Sequence, residues 1–227
     1  MKQLYKKCKK PLLILSLIGL SSGYNYTFAA VAPLLQTGQT ATTPLDPAPA
    51  GSDGAVQAGK ALPQDRFQPA LDIDGNLCND ALVDTATGLM WAKNGTIGFK
   101  DANNDLLTQP DYANTTASLN WLSWDDALTA VSNMNNATTK LCGYSDWHLP
   151  NRNEALTLSD FSKTSIAAAL NNQGFNNMQD GNYWTNSAYA VLTADAWSFQ
   201  TVDSGFPITI NKTEMKSSLP VRGPVGR

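Results

Sequence analysis

The stretch Leu141-Cys142-Gly143-Tyr144-Ser145-Asp146-Trp147-His148-Leu149-Pro150-Asn151, with Glu154 three residues beyond it, decides how this chain is read. Asn151 and Glu154 form a helix cap pair after Leu149-Pro150. A helix therefore opens there and continues through Ala155, Leu156 and Leu158 towards Phe161. His148, between Trp147 and Leu149, lies at a strand end just before that helix. A lone His with neither a nucleophile nor a second ligand at working spacing is more often structural than catalytic or metal-binding.

Upstream, Trp124 begins a run with apolar residues at i, i+3, i+4, i+7 and i+10, which predicts a helix over 124–134. Ser123 caps it, and Asp125 and Asp126 sit at the positive end of its dipole. Downstream, Ile166 to Leu170 predicts a short third helix. Ala81-Leu82-Val83-Asp84 and Leu89-Met90-Trp91-Ala92 flank Thr85-Ala86-Thr87-Gly88 and read as a hairpin, with Gly88 in the left-handed position. Four further strands are expected at 183–187, 196–201, 207–210 and 219–222, with Asp203-Ser204-Gly205 as the turn between the second and third. Helices segregated from hairpins imply an α+β fold.

The 227 residues carry 16 Lys and Arg against 19 Asp and Glu. Lys2, Lys6, Lys7, Lys9 and Lys10 precede the apolar stretch Pro11 to Leu20, the pattern of an export signal over residues 1–29. Thr27 and Ala29 place its cleavage after Ala29. The apolar stretch is about half of what a membrane span needs, so no span is expected. Without the signal, 11 Lys and Arg face 19 Asp and Glu, a net charge of −8. Those basic residues are scattered, which argues against nucleic acid as a partner.

Residues 30–64 hold no aromatic side chain, and Pro recurs among Ala, Gly, Thr and Gln. This composition reads as an arm or linker ahead of a domain over 65–227. Cys8 leaves with the signal, so Cys78 and Cys142 remain in a chain bound for an oxidising compartment. A disulfide is the simplest outcome. A redox-active pair or metal thiolates would call for a C-x-x-C or a His at ligand spacing.

Several of these segments together resemble the Lcl C-terminal domain family, a bacterial module named from a collagen-like surface adhesin. They are Thr87-Gly88-Leu89-Met90-Trp91, Leu119-Asn120-Trp121, Leu141 to Asn151 with Glu154, Tyr183 to Ser187, Ala196-Trp197 and Pro220-Val221-Arg222-Gly223. The resemblance runs in order from about Phe67 to Gly223. It implies a C-type lectin-like domain, two main helices packed on a twisted, mostly antiparallel sheet, with a long irregular segment that carries binding surfaces. It also implies adhesion through glycans, glycosaminoglycans in particular, and association as a trimer. This chain lacks the collagen repeat, carries His148 where the family commonly has Arg, and its −8 charge disfavours sulfated glycans.

The most ligand-like stretch is Asn94 to Asn120. Asp101, Asn103, Asn104, Asp105 and Tyr112, with Trp121 just beyond, combine amides, carboxylates and aromatic faces, the groups that recognise neutral sugars. Asp72-x-Asp74-Gly75-Asn76 and Asp101-x-Asn103-x-Asp105 invite a calcium reading. An EF-hand loop needs Gly at its sixth position and an acidic ligand at its twelfth. The first series has Leu77 and Val83 there, the second Leu106 and Tyr112. Both read better as polar turns, and no cofactor or metal is expected. The Gly-x-Ser-x-Gly match at Gly19 to Gly23 lies inside the export segment, and none occurs over 65–227. The expected function is a secreted, non-catalytic binding or adhesion module, periplasmic or at the cell surface, that recognises a glycan or a surface protein. A structural part in an envelope or appendage assembly is the alternative. An oxidase-like enzyme of the same fold finds support only in Cys78 and Cys142.

Overall fold

The computed structural model describes residues 34–44, 46–203 and 205–224; the export segment and its cut after Ala29 lie outside them. In chain order the elements are helix α1 (Asp53–Val56), strands β1 (Phe67–Leu71), β2 (Leu77–Asp84), β3 (Met90–Ala92), β4 (Gly98–Lys100) and β5 (Leu106–Asp111), helices α2 (Trp124–Asn136), α3 (Arg152–Leu156) and α4 (Ile166–Asn172), then strands β6 (Asn182–Ala188), β7 (Asp195–Gln200), β8 (Pro207–Asn211) and β9 (Val221–Arg222). The described residues form an α+β fold with one disulfide.

The strands form three separate antiparallel sheets, in the orders β1-β2-β3-β9, β4-β5 and β6-β7-β8, rather than one. Pro69 in β1 and Pro110 in β5 cannot donate to a ladder, which suits both strands to a sheet edge. The expected hairpin over 81–92 is β2-β3. Gly88 adopts φ 77°, and its N–H donates to Asp84 O at 2.7 Å. The strand expected at 219–222 shortens to two residues: Pro220 O still accepts from Ala92 N–H, but Pro220 has no N–H with which to continue the ladder.

α2 forms where the periodicity places it, and the Ser123 side chain accepts from Asp126 N–H. Its inner face buries Ala127, Ala130, Val131 and Met134; burying a Val or Met side chain stabilises by roughly 1.5–3 kcal/mol. α3 opens on a full capping box. Asn151 Oδ1 accepts from Asn153 and Glu154 N–H, and Glu154 Oε2 accepts from Asn151 N–H at 2.7 Å. It stops at Leu156 rather than reaching Phe161. The Asp160 carboxylate accepts from Ser162 N–H and hydroxyl, a local turn that competes with further helix. Ser165 caps α4 by accepting from Ala168 N–H.

Two apolar clusters fill the interior. One centres on Trp147, Trp184, Met134 and Phe99, the other on Trp91, Tyr183, Phe199 and Val221. At the rim of the second, Arg66 makes a bidentate pair with Asp84 at 2.8 and 2.6 Å and donates to Thr157 O, so β1, the β2-β3 turn and the end of α3 share one buried ion pair. Cys78 in β2 is bonded to Cys142. Around that bridge, Ile73 N–H donates to Cys142 O and the Tyr144 hydroxyl to Asp72 O, clasping the tip of the β1-β2 hairpin to the 141–144 turn.

The arm ahead of β1 has defined backbone partners. Leu34 O accepts from Lys60 N–H and Thr37 O from Phe161 N–H, while the Thr37 hydroxyl donates to the Asp53 carboxylate. Gly38 lies against the Asp160 carboxylate, where a Cβ would collide with it.

Candidate functional site

Asp101, Asn103, Asn104 and Asp105 form the tip of the β4-β5 hairpin. Asp101 Oδ1 accepts from Asn103 N–H at 2.8 Å and Asp105 N–H at 3.0 Å, and Asp101 N–H donates back to Asp105 O. The Asp105 N–H is the chief reason the Asp101 carboxyl lies below its ordinary value. Asn104 takes the left-handed φ of 71°, and its Oδ1 accepts from the Lys100 ammonium, whose side chain is buried. The polar groups of this tip are therefore largely engaged within the turn. Tyr112, at the far end of the hairpin, donates its hydroxyl to Thr139 O, and burial pushes its phenol up.

Trp121 stands elsewhere. It follows a 3-10 turn over Ala117–Asn120 and is 49% exposed, at the edge of a cleft of about 250 Å³. The other walls are Gln179, Asp180 and Asn182 on one side and Met215, Lys216 and Ser217 on the other. Of the ligand candidates in the sequence, only Trp121 lines this cleft. Gln179, Asp180, Asn182 and Met215 escaped the sequence reading. Their signal was faint, a run of amides and an acid just ahead of a strand.

The cleft is built on fixed backbone. Leu122 and Lys216 exchange both N–H···O bonds at 2.9 Å, Ser217 O accepts from Trp184 N–H, and Ser217 N–H donates to Asn182 O. Beneath Trp121, the fully buried Asn120 amide donates to Gly95 O and Ser218 O and accepts from Ser218 N–H. The Tyr183 hydroxyl accepts from Gln179 N–H and donates to Gly95 O; burial pushes its phenol up to about 12, so it stays neutral. Thr201 Oγ1 accepts from Gly181 N–H and donates to Gln179 O. The Trp121 indole thus stands half-exposed beside a hydrogen-bonded backbone frame.

The polar side chains at the mouth differ in their freedom. Asp180 accepts from the Ser165 hydroxyl at 2.7 Å, and Lys216 pairs with Glu214 at 2.9 Å. The Gln179 side-chain amide donates to Asn177 O, and its side-chain oxygen accepts no hydrogen bond among the described residues. Asn182 Oδ1 is covered and accepts no hydrogen bond among the described residues.

His148 is engaged away from this cleft. Its Nε2 lies 3.2 Å from Glu154 Oε2, and its backbone pairs with Val221 in both directions. The Glu154 hydrogen bond raises the imidazole above its ordinary value against the opposing effect of burial. Burial works to raise Glu154, but the hydrogen bonds from His148 and Asn151 outweigh it and hold that carboxyl low. Arg222 grips Asp146 at 2.6 and 3.1 Å, holding its carboxyl low, and lies over the Tyr144 ring. Among the described residues no three His, Cys, Asp or Glu side chains gather to hold a metal ion, and no helix is long and apolar enough to cross a membrane.

No curated protein matches the chain. Its sequence matches the model of one protein family over residues 80–222, well over half its length, and this span contains β3 to β9, the Trp121 cleft and the His148–Glu154 pair. The chain belongs to the Lcl C-terminal domain family.

Proposed function

We propose that this protein is a secreted, non-catalytic binding module of C-type lectin-like build, which recognises a glycan or a partner on a cell surface. The observation that carries the reading is Trp121, a half-exposed indole fixed beside a cleft edged by amide and acid side chains. Such a surface binds by stacking and hydrogen bonding without a reacting group. Family membership supports it, as does the lysine-led apolar segment over residues 1–29, which directs the chain to the periplasm or beyond. The non-catalytic part is supported by the engagement of the reactive side chains: Cys78 is bonded to Cys142, and His148 is held by Glu154. Association as a trimer belongs to the same reading.

The test is a broad glycan array probed with the exported protein, with calcium and with chelator. Saturable binding to a defined set of glycans, unchanged by chelator, is the expected result. A blank array, with capture of a surface protein also absent, would end the reading. Loss of binding on chelation would call for a calcium site and overturn the calcium-independent part of the reading.

A further inference from the structure

We infer that the Trp121 cleft takes a single neutral pyranose ring, such as the uncharged end of a glycan, rather than a sulfated or uronic-acid polymer. This rests on the glycan-binding reading and assigns it a place and a ligand chemistry. A volume of about 250 Å³ falls below the roughly 300–1,000 Å³ of sites for drug-sized ligands, and one sugar ring suits it. Trp121 offers the apolar face on which the C–H side of a pyranose lies flat, and Met215, 42% exposed, extends that face.

The polar complement is a hydroxyl's complement. The Gln179 side-chain oxygen has no partner among the described residues, and Asp180 keeps one carboxylate oxygen beyond its bond to Ser165. Asn182 Oδ1 has no bond to lose if its amide turns toward an incoming hydroxyl. An acceptor left covered and unmatched is costly, so a donor arriving there contributes more than it would on open surface.

Charge decides against anionic sugars. Among the described lining residues Lys216 is the one cation, and Glu214 at 2.9 Å offsets its charge; Asp180 adds a negative charge to the wall. Sulfate and carboxylate groups are held by Arg or Lys donors free to meet them. A sulfated ring here would meet the Asp180 carboxylate and an ammonium already shared with Glu214.

The experiment titrates the exported protein and its Trp121→Ala, Trp121→Phe and Asn182→Ala variants with neutral oligosaccharides and with heparan sulfate. Unchanged far-UV circular dichroism checks each variant's fold. Neutral binding reduced about tenfold or more by Trp121→Ala, largely kept by Trp121→Phe and weakened by Asn182→Ala is the expected pattern. Neutral binding that survives Trp121→Ala would move the site and overturn this inference while leaving the glycan reading intact. Binding confined to heparan sulfate would overturn the inference in the same way. Binding to neither would bring down the glycan reading itself.

Discussion

Asp72 and Asp101 hold the same post in two different hairpins. Each carboxylate accepts from the N–H groups two and four residues ahead, and each backbone N–H donates to the carbonyl four residues ahead. The third residue ahead, Gly75 or Asn104, takes the left-handed conformation that lets the chain reverse. Two acidic sequences that invite a calcium reading are thus one turn used twice. Asp101→Ala is expected to free the Asn103 and Asp105 amides to exchange with solvent while the rest of the domain keeps its protection. Hydrogen exchange followed by NMR checks this, and unaltered protection at both amides would contradict it. Because the folded-state Asp101 carboxyl lies below its ordinary value, its contribution is complete above that value and is lost as pH falls through the lowered one.

The ion pair between Arg66 and Asp84 is 4% and 0% exposed, and Asp84 also accepts from Ala86 N–H and the Thr87 hydroxyl. Removing one partner strands the other charge in the interior. Asp84→Ala is expected to cost about 3–5 kcal/mol in urea unfolding, and the double variant with Arg66→Met less than the sum of the two single losses. Strict additivity would mean that the two side chains act independently.

His148 and Glu154 give the domain a window of pH. The folded imidazole is raised, so its contribution is complete below 6.5 and is lost as pH rises through the raised value. The folded Glu154 carboxyl is lowered, so its contribution is complete above 4.5 and is lost as pH falls through the lowered value. Both act fully between those two ordinary values. Thermal midpoints measured across pH are expected to fall on either side of this window in the wild type. The fall on the alkaline side is expected to disappear in His148→Arg, which keeps a cation opposite Glu154 at every pH in the range. The Arg222 to Asp146 pair persists in both proteins and cancels in the comparison.

The bond between Cys78 and Cys142 closes 64 residues. On the chain-entropy account, opening it costs up to about 4 kcal/mol. Ile73 N–H to Cys142 O and the Tyr144 hydroxyl to Asp72 O do not depend on the sulfur bridge and are expected to hold the hairpin tip when it is opened. Cys78→Ser is therefore expected to lower the thermal midpoint under non-reducing conditions with little change in near-UV circular dichroism. An unchanged midpoint would show that the crosslink contributes nothing.

What the sequence reveals here follows the range of each interaction. The α2 helix, the capping box at Asn151 and Glu154 and the turn at Gly88 are written in residues a few positions apart, and they stand where periodicity and capping place them. β1, β4 and β5 were invisible: Pro69 and Pro110 break the expected strand pattern, and β4 is three residues long. The Asp101 to Asp105 segment is legible as a turn, but amide-rich turns and amide-rich binding loops have the same composition. The Trp121 cleft joins residues near 121, 180 and 216, and the Asn120 amide beneath it reaches Gly95 and Ser218. No local pattern records such a meeting, so Trp121 was recognisable as a candidate and its partners were not.

β9 holds only Val221 and Arg222, yet Val221 is fully buried, pairs with Trp91 in β3 and is bonded in both directions to His148. β1, β2 and β3 are joined by hairpins and can pair among themselves, whereas β9 must come from far along the chain. Until Val221 docks, β3 presents an open edge and the Trp91 cluster lacks one wall. The last wall of that cluster is therefore set by a pairing of high sequence separation, the kind of contact whose loop-closure cost makes it slow to form.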